Sequence, residues 1–194
     1  MNVKEIIKKI TPQEPRRVIA YGFNEFIELL WDAMMCFPMH IVRRLWFKLF
    51  VRGSRKSKRI ALYRHVRVKK YSCIKVGDNV VINRNVLLDG RSGLEIGDNV
   101  DIGEYVKIWT LEHDPCDSNH VTRGRPTTIE DHVWIAPWSI IMPGVHIGRG
   151  AIIGGGSVVT HDVPKNAIVA GNPAKVIGER KNELTYTLKV RLYL

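Results

Sequence analysis

The sequence has no run of about 18 or more apolar residues, so nothing in it reads as a transmembrane helix. Cysteine is scarce. Cys36, Cys73 and Cys116 stand far apart in the chain, in a spacing that fits neither a disulfide framework nor a zinc site. The opening MNVKEIIKKITPQEPRR lacks the apolar core and small-residue cleavage site of a secretory signal, and a reducing cytoplasm is the expected compartment. Low hydrophobicity is also missing. At 45% hydrophobic and 25% charged residues, the 194-residue chain has the composition of a folded domain with an accessory segment.

Acidic charge is scarce in one region only. Residues 1–70 hold 17 Lys and Arg against 5 Asp and Glu, whereas residues 71–194 hold 13 against 14. The net charge of +11 is therefore a property of the N-terminal third. Such a block suits an anionic membrane surface or an acidic neighbour. Nucleic acid is not expected, because no binding module accompanies the cations.

What the chain does have is a six-residue beat. Units open at Val76, Ile82, Leu88, Ile96, Ile102 and Ile108, then again at Ile129, Ile135, Ile141, Ile147, Ile153 and Val159. A small or β-branched residue stands four places later, as in Val80, Val86, Val100, Val133, Ser139 and Val145. Six matches neither the 3.6 of a helix nor the 2 of a strand. It fits a short strand and a turn, repeated so that each aliphatic stacks on its equivalent one coil later. Gly77, Asn79, Gly97, Asn99, Gly103, Gly148 and Gly154 are read as supplying the turns' backbone angles. Three such faces per coil make a triangular solenoid with a continuous aliphatic core.

The register resembles the hexapeptide-repeat acyltransferases over residues 74–178, which implies an all-β solenoid, a left-handed parallel β-helix. The expected organisation is a basic helical segment (1–70), the β-helix (71–178) with a catalytic loop (109–128), and a tail (179–194). The strings TLEHDP, VWIAPWSIIMPGVHIG, GGGSVVTHDVP and AGNPAKVIGER are similar to the branch of galactoside, maltose and polysaccharide O-acetyltransferases. The resemblance implies acetyl-CoA as donor, a saccharide acceptor, a homotrimer with donor sites beside neighbouring subunits, and no metal. In that branch a histidine on the long loop is the general base, a role that carries over to His113.

The residues support that chemistry on their own terms. The beat fails between Ile108 and Ile129, where the chain reads WTLEHDPCDSNHVTRGRPTT. A solenoid accommodates such an insertion only as an outward loop, and loops on rigid scaffolds often carry function. A sugar hydroxyl attacks a thioester well only as its proton leaves, and imidazole is a fitting acceptor near neutral pH. The bland alternative is a surface histidine bonded to Asp114 or to the backbone, and His120 is the fallback base. His132, His146 and His161 are read as turn residues, and His40 and His65 have no visible partner. The spacings of these histidines do not reproduce a three-imidazole zinc site.

For the acceptor, the resemblance points to Asn83 and, with a one-residue mismatch, to Asp89. Both also fit as turn residues bonded to their own backbone. The loop lacks a glutamate between Glu112 and Glu130, leaving Asp114 or Asp117 as substitutes. For acetyl-CoA it points to Trp134, Ala136, Gly155, Thr160, His161 and Lys175. Pro137 has no N–H to offer a thioester oxygen. Residues 24–37 and 39–51 have helical apolar spacing, and they read either as a cap on the solenoid with cations in water or as an interfacial membrane helix. The leading expectation is O-acetylation in surface-polysaccharide synthesis, in the cytoplasm or peripherally on the inner membrane face. N-acetylation of an amino sugar, acetylation of a xenobiotic, and a non-catalytic membrane-associated scaffold are the alternatives.

Overall fold

A computed structural model describes residues 15–51, 53, 54, 57 and 59–189. Two helices, α1 (Pro15–Cys36) and α2 (His40–Phe50), precede a parallel β-solenoid. Its first face is built from β1 (Ile60–Leu62), β4 (Val80–Ile82), β7 (Asp101–Ile102), β12 (Trp134–Ile135), β15 (Ile152–Ile153) and β17 (Ala167–Gly171). The second holds β2 (Arg67–Lys69), β5 (Leu87–Asp89), β8 (Lys107–Ile108), β13 (Ile140–Ile141) and β16 (Val158–Val159). The third holds β3 (Ile74–Val76), β6 (Leu94–Ile96), β11 (Thr127–Ile129) and β14 (His146–Ile147). The chain visits the faces in that order, coil after coil.

The expected stacking is observed. Ile102 pairs with Ile135 and Ile135 with Ile153, while Leu88, Ile108, Ile141 and Val159 form the matching column on the second face. These side chains are essentially fully buried, with Val106, Val133, Val145 and Val163 filling the corners between them. Such a core is stabilised coil by coil rather than around one centre.

The turns need a split explanation. Asn79, Asn85, Asn99 and Asn166 do take positive φ, as expected of asparagine. Gly103 and Gly148 do not; a Cβ on either would sit 2.6 Å from a backbone nitrogen, of Pro137 and Lys165 respectively. Close approach of the next coil therefore requires those glycines, rather than backbone angle.

The solenoid also begins earlier than residue 71. β1 and β2 already pair in parallel with β4 and β5, and LYRHVR (62–67) is one more hexad. Its opening Leu62 and fifth-place Val66 are fully buried, although basic neighbours hide the pattern in the sequence. Helices α1 and α2 close this end by packing Trp31, Met35, Phe47 and Val51 onto the core. Arg43 is buried, contrary to a cap with all its cations in water. Its Nε donates to Leu62 O at 3.1 Å, and its guanidinium also reaches the carbonyls of Phe37 and Pro38. Neither N-terminal histidine lacks a partner: His40 Nε2 accepts from Leu62 N at 2.8 Å, and His65 Nδ1 lies 3.3 Å from Cys36 Sγ.

At the other end, β18 (Ala174–Glu179) turns back antiparallel on β17, and residues 180–189 follow as an extended arm. Arg180 donates to His132 O at 3.1 Å, and Leu188 N donates to Asn99 Oδ1 at 3.1 Å. This arm runs along the corner between the third and first faces.

Candidate active site

The excursion leaves the second face after Ile108 and returns at β11. Its stem is an antiparallel hairpin of β9 (Leu111–His113) and β10 (Thr122–Gly124), in which His113 pairs with Thr122. Thr127 Oγ1 donates to Trp109 O at 3.2 Å and fastens the base of the loop. Arg123 clasps the hairpin, bonding Glu112 at 2.9 Å and Asp114 at 3.2 Å. These carboxylates hold the guanidinium's pKa above its ordinary value, the Glu112 hydrogen bond contributing most.

His113 is exposed, with its Nδ1 2.9 Å from His120 O. A carbonyl only accepts, so the proton resides on Nδ1 and the Nε2 lone pair is free. The rings of His113 and His120 stack in parallel, with centroids 3.8 Å apart and planes 8° apart. His120 therefore orients His113 twice, through its carbonyl and through its ring.

Asn83 stands at the corner between the first and second faces. Its amide donates to Ile102 O at 2.8 Å and to Asp101 Oδ1 at 3.2 Å. The acidic partner of Asn83 is thus Asp101, a residue the sequence alone did not single out. Burial raises the Asp101 pKa, partly offset by the Asn83 hydrogen bond. Asp101 opens the two-residue strand β7 and pairs with Trp134 across the ladder, a relation between coils that the sequence does not display.

Asp89 requires correction as an acceptor contact. Its side chain is fully enclosed, and it receives Arg91 N at 3.0 Å, Arg91 Nε and Nη2 at 2.9 Å each, and Thr110 N at 3.2 Å. Burial alone would raise its pKa; the Arg91 and Thr110 hydrogen bonds and the Arg91 charge prevail and lower it. Asp89 ties the end of β5 to the start of the excursion and has no face left for a ligand. Asp114 is also engaged, accepting from Cys116 N at 3.0 Å besides Arg123.

The residues expected to meet acetyl-CoA fall on different edges of one chain. Ala136 and Gly155 share the first corner with Asn83, while exposed Trp134 projects from the first face. Thr160 and His161 follow β16 at the second corner, the one His113 occupies, and lie 2.9 Å apart through Oγ1 and Nδ1. Lys175 is exposed on β18. A groove of about 420 Å³ on the third face, lined by Lys75, Glu95, Thr128 and Arg149 among others, contains none of these groups. Among the described residues, no cluster of three or more His, Cys, Asp or Glu is placed to hold a metal ion.

The ladder and its interrupted coil define a class, the transferases built on hexapeptide repeats. Residues 126–161 match the family described as "Bacterial transferase hexapeptide (six repeats)". A maltose O-acetyltransferase from Clostridium difficile 630 is 30% identical and covers 88% of this chain and 91% of its own, with a TM-score of 0.74. A hexapeptide-repeat acetyltransferase from Vibrio cholerae, solved with acetyl coenzyme A, is 27% identical with a TM-score of 0.68 over 78% of this chain and 84% of its own. The Saccharomyces cerevisiae protein YJL218W, provisionally named an acetyltransferase, is 47% identical over 111 residues, 55% of this chain and 56% of its own length. The chain spans about half the length of the curated relatives it matches. It belongs to the hexapeptide-repeat acyltransferase family.

Proposed function

We propose that this protein transfers the acetyl group of acetyl-CoA to a saccharide hydroxyl, with His113 as general base, in the cytoplasm and in the service of surface-polysaccharide synthesis. The observation that carries the reading is the His113 ring, held on Nδ1 by His120 O with Nε2 free where the ladder is interrupted. Nε2 takes the hydroxyl proton as the oxygen attacks the acetyl carbonyl, the C–S bond breaks, and the imidazolium returns the proton to the departing thiolate. Such assistance contributes typically about 10²–10⁴-fold. Gly155 is exposed and carries no side chain, so a pantetheine arm can pass close to its backbone. Ala136, Trp134, Thr160, His161 and Lys175 are the remaining donor contacts proposed.

The active form proposed is a homotrimer. In its support, Asn83, Ala136 and Gly155 occupy one corner of the prism while His113, Thr160 and His161 occupy the next. A site using both sets is completed when one subunit's first corner meets a neighbour's excursion. Mixing the inactive variants His113→Ala and Asn83→Ala tests this, because mixed trimers regain activity if sites are shared. Recovery absent from re-associated mixtures would assign both residues to one subunit's site.

Acceptor-stimulated release of CoA thiol, with mass detection over a panel of sugars, amino sugars and alcohols, tests the reaction itself. The expected product is an ester of a saccharide. An amide would move the reading to N-acetylation, and acetyl-CoA binding with no turnover on any acceptor would favour a scaffold.

An anionic membrane surface is the proposed resting place of the N-terminal cap. Helix α2 buries His40, Arg43 and Phe47, yet exposes Ile41, Leu45 and Leu49 on its other side, beside exposed Phe37, Met39, Phe26 and Leu29. An apolar stripe within a segment of such positive charge suits lipid headgroups better than a second copy, which would bring like charges together. Flotation with phosphatidylglycerol vesicles should fail for Ile41→Glu/Leu45→Glu; undiminished flotation would refute the contact.

A further inference from the structure

Two exposed aromatic residues occupy turns where the other coils place histidine, asparagine or glycine at the same corner. Tyr105 and Trp138 have φ of 62° and 68°, a region that L side chains resist. Such strain is ordinarily repaid by burial or by function. Burial does not repay it at Trp138, which is 63% exposed, while Tyr105 beneath it is 38% exposed. Their rings lie flat on each other, with centroids 4.1 Å apart and planes 6° apart.

The column they belong to runs along the first corner as His65, Asn85, Tyr105, Trp138 and Gly156, one residue per coil. Above Trp138 it is empty. Gly156 supplies no side chain, and a Cβ placed on it meets no atom within 4 Å. One indole face is covered by Tyr105, and the other looks toward the open space beside Gly156. This space lies on the edge that carries Ala136 and Gly155, with Asn83 three coils away along it. The lower rung shares its coil with the excursion, because Tyr105 leads into β8 and His113 follows it, and Trp138 stands one coil further on.

We infer that the Tyr105–Trp138 stack is a platform for the acceptor, holding the C–H face of a pyranose ring against the open face of Trp138. The inference rests on the saccharide reading above and adds the residue that selects a ring over an open-chain alcohol. A pyranose presents an apolar face of about the area of an indole, and its hydroxyls point outward to solvent and to the acetyl donor's side of the corner. An aromatic shelf stacked on a second ring is pre-organised, so little rotamer freedom is lost on binding.

The test uses the full chain and saturation-transfer NMR, irradiating aromatic protein protons in the presence of maltose, methyl β-galactopyranoside or acyclic glucitol. Transfer to pyranoside ring protons and none to glucitol is expected. Trp138→Ala should lower the pyranoside transfer about fivefold and Trp138→Phe should restore part of it. Gly156→Tyr should abolish it by covering the indole while the fold survives, since Tyr105 already occupies the equivalent turn. Acetyl-CoA affinity, titrated in parallel, should stay within about twofold for Trp138→Ala and Trp138→Phe. Transfer unchanged in both Trp138→Ala and Gly156→Tyr, or absent from every pyranoside, overturns the proposal. So does a matching loss of acetyl-CoA affinity, which would put the donor's adenine on the shelf. Wild-type protein that binds pyranosides but not acetyl-CoA would instead defeat the transferase reading and leave the platform standing.

Discussion

The coils and the excursion solve opposite problems with the same chain. In the coils each aliphatic is fixed by an equivalent residue above and below, as Ile135 is by Ile102 and Ile153. In the excursion, residues 118–126 are all exposed, and order comes from a few polar contacts: the Arg123 clasp, the His120 carbonyl and the Asx-type turns of Asp114 and Asp117. Redundant apolar contacts hold a frame, whereas single polar contacts aim a group. Substitutions in the coils should therefore cost stability, and those in the excursion should cost geometry.

The sharpest separation is expected at His113→Ala, which should lower turnover by about 10²–10⁴-fold and leave the melting temperature unchanged. A comparable loss of stability would merge the two regions. Ile135→Ala is the converse, expected to lower stability by about 2–5 kcal/mol in denaturant titrations while the folded fraction keeps its activity.

Asp89 lies at the junction. Asp89→Asn should cost about 1–3 kcal/mol at neutral pH, allowing for an Arg91 side chain that is about a third exposed. Its native pKa lies below the ordinary carboxylate value of 3.8, so the charged form's contribution is complete above that value. It disappears as pH falls through the lowered native value, and the variant and wild-type stability curves should converge in that range.

The cap should respond at a higher pH. Burial, with Arg43 and Arg44 nearby, lowers the His40 pKa below 6.5. The unfolded chain then binds the proton more readily, and stability should decline as pH falls below 6.5 toward the native value. His40→Gln should flatten that decline. The smallest effect is expected at Arg123→Ala, with no change in melting temperature but faster amide exchange over 114–123 and a modest fall in turnover.

The ladder is legible in the sequence because a stacked core repeats its demand every six residues, and a break in that demand marks the excursion without further information. His113 stands out by the same break. The first hexad, at Leu62, is obscured because Arg64, His65 and Arg67 occupy its outward places. Arg43 has the look of a solvated cation since nothing in the sequence reveals that the carbonyls of Phe37, Pro38 and Leu62 converge on it. Asp89 passes for a ligand group because its partners, Arg91 and Thr110, meet it only across a turn and a coil. Asp101 beside Asn83 is a neighbour relation between coils, visible only once the register of one coil against the next is known.

The coils on either side of the excursion pair with each other as if nothing intervened, Ile108 with Ile141 and Ile96 with Ile129. The stretch between them is thus an interchangeable cartridge, and exchanging it for one of another length should alter what the protein accepts without retooling the frame. Chimeras that swap residues 114–119, between the two stacked histidines, offer a direct route to new acceptors, since lengthening a surface loop costs little in closure entropy.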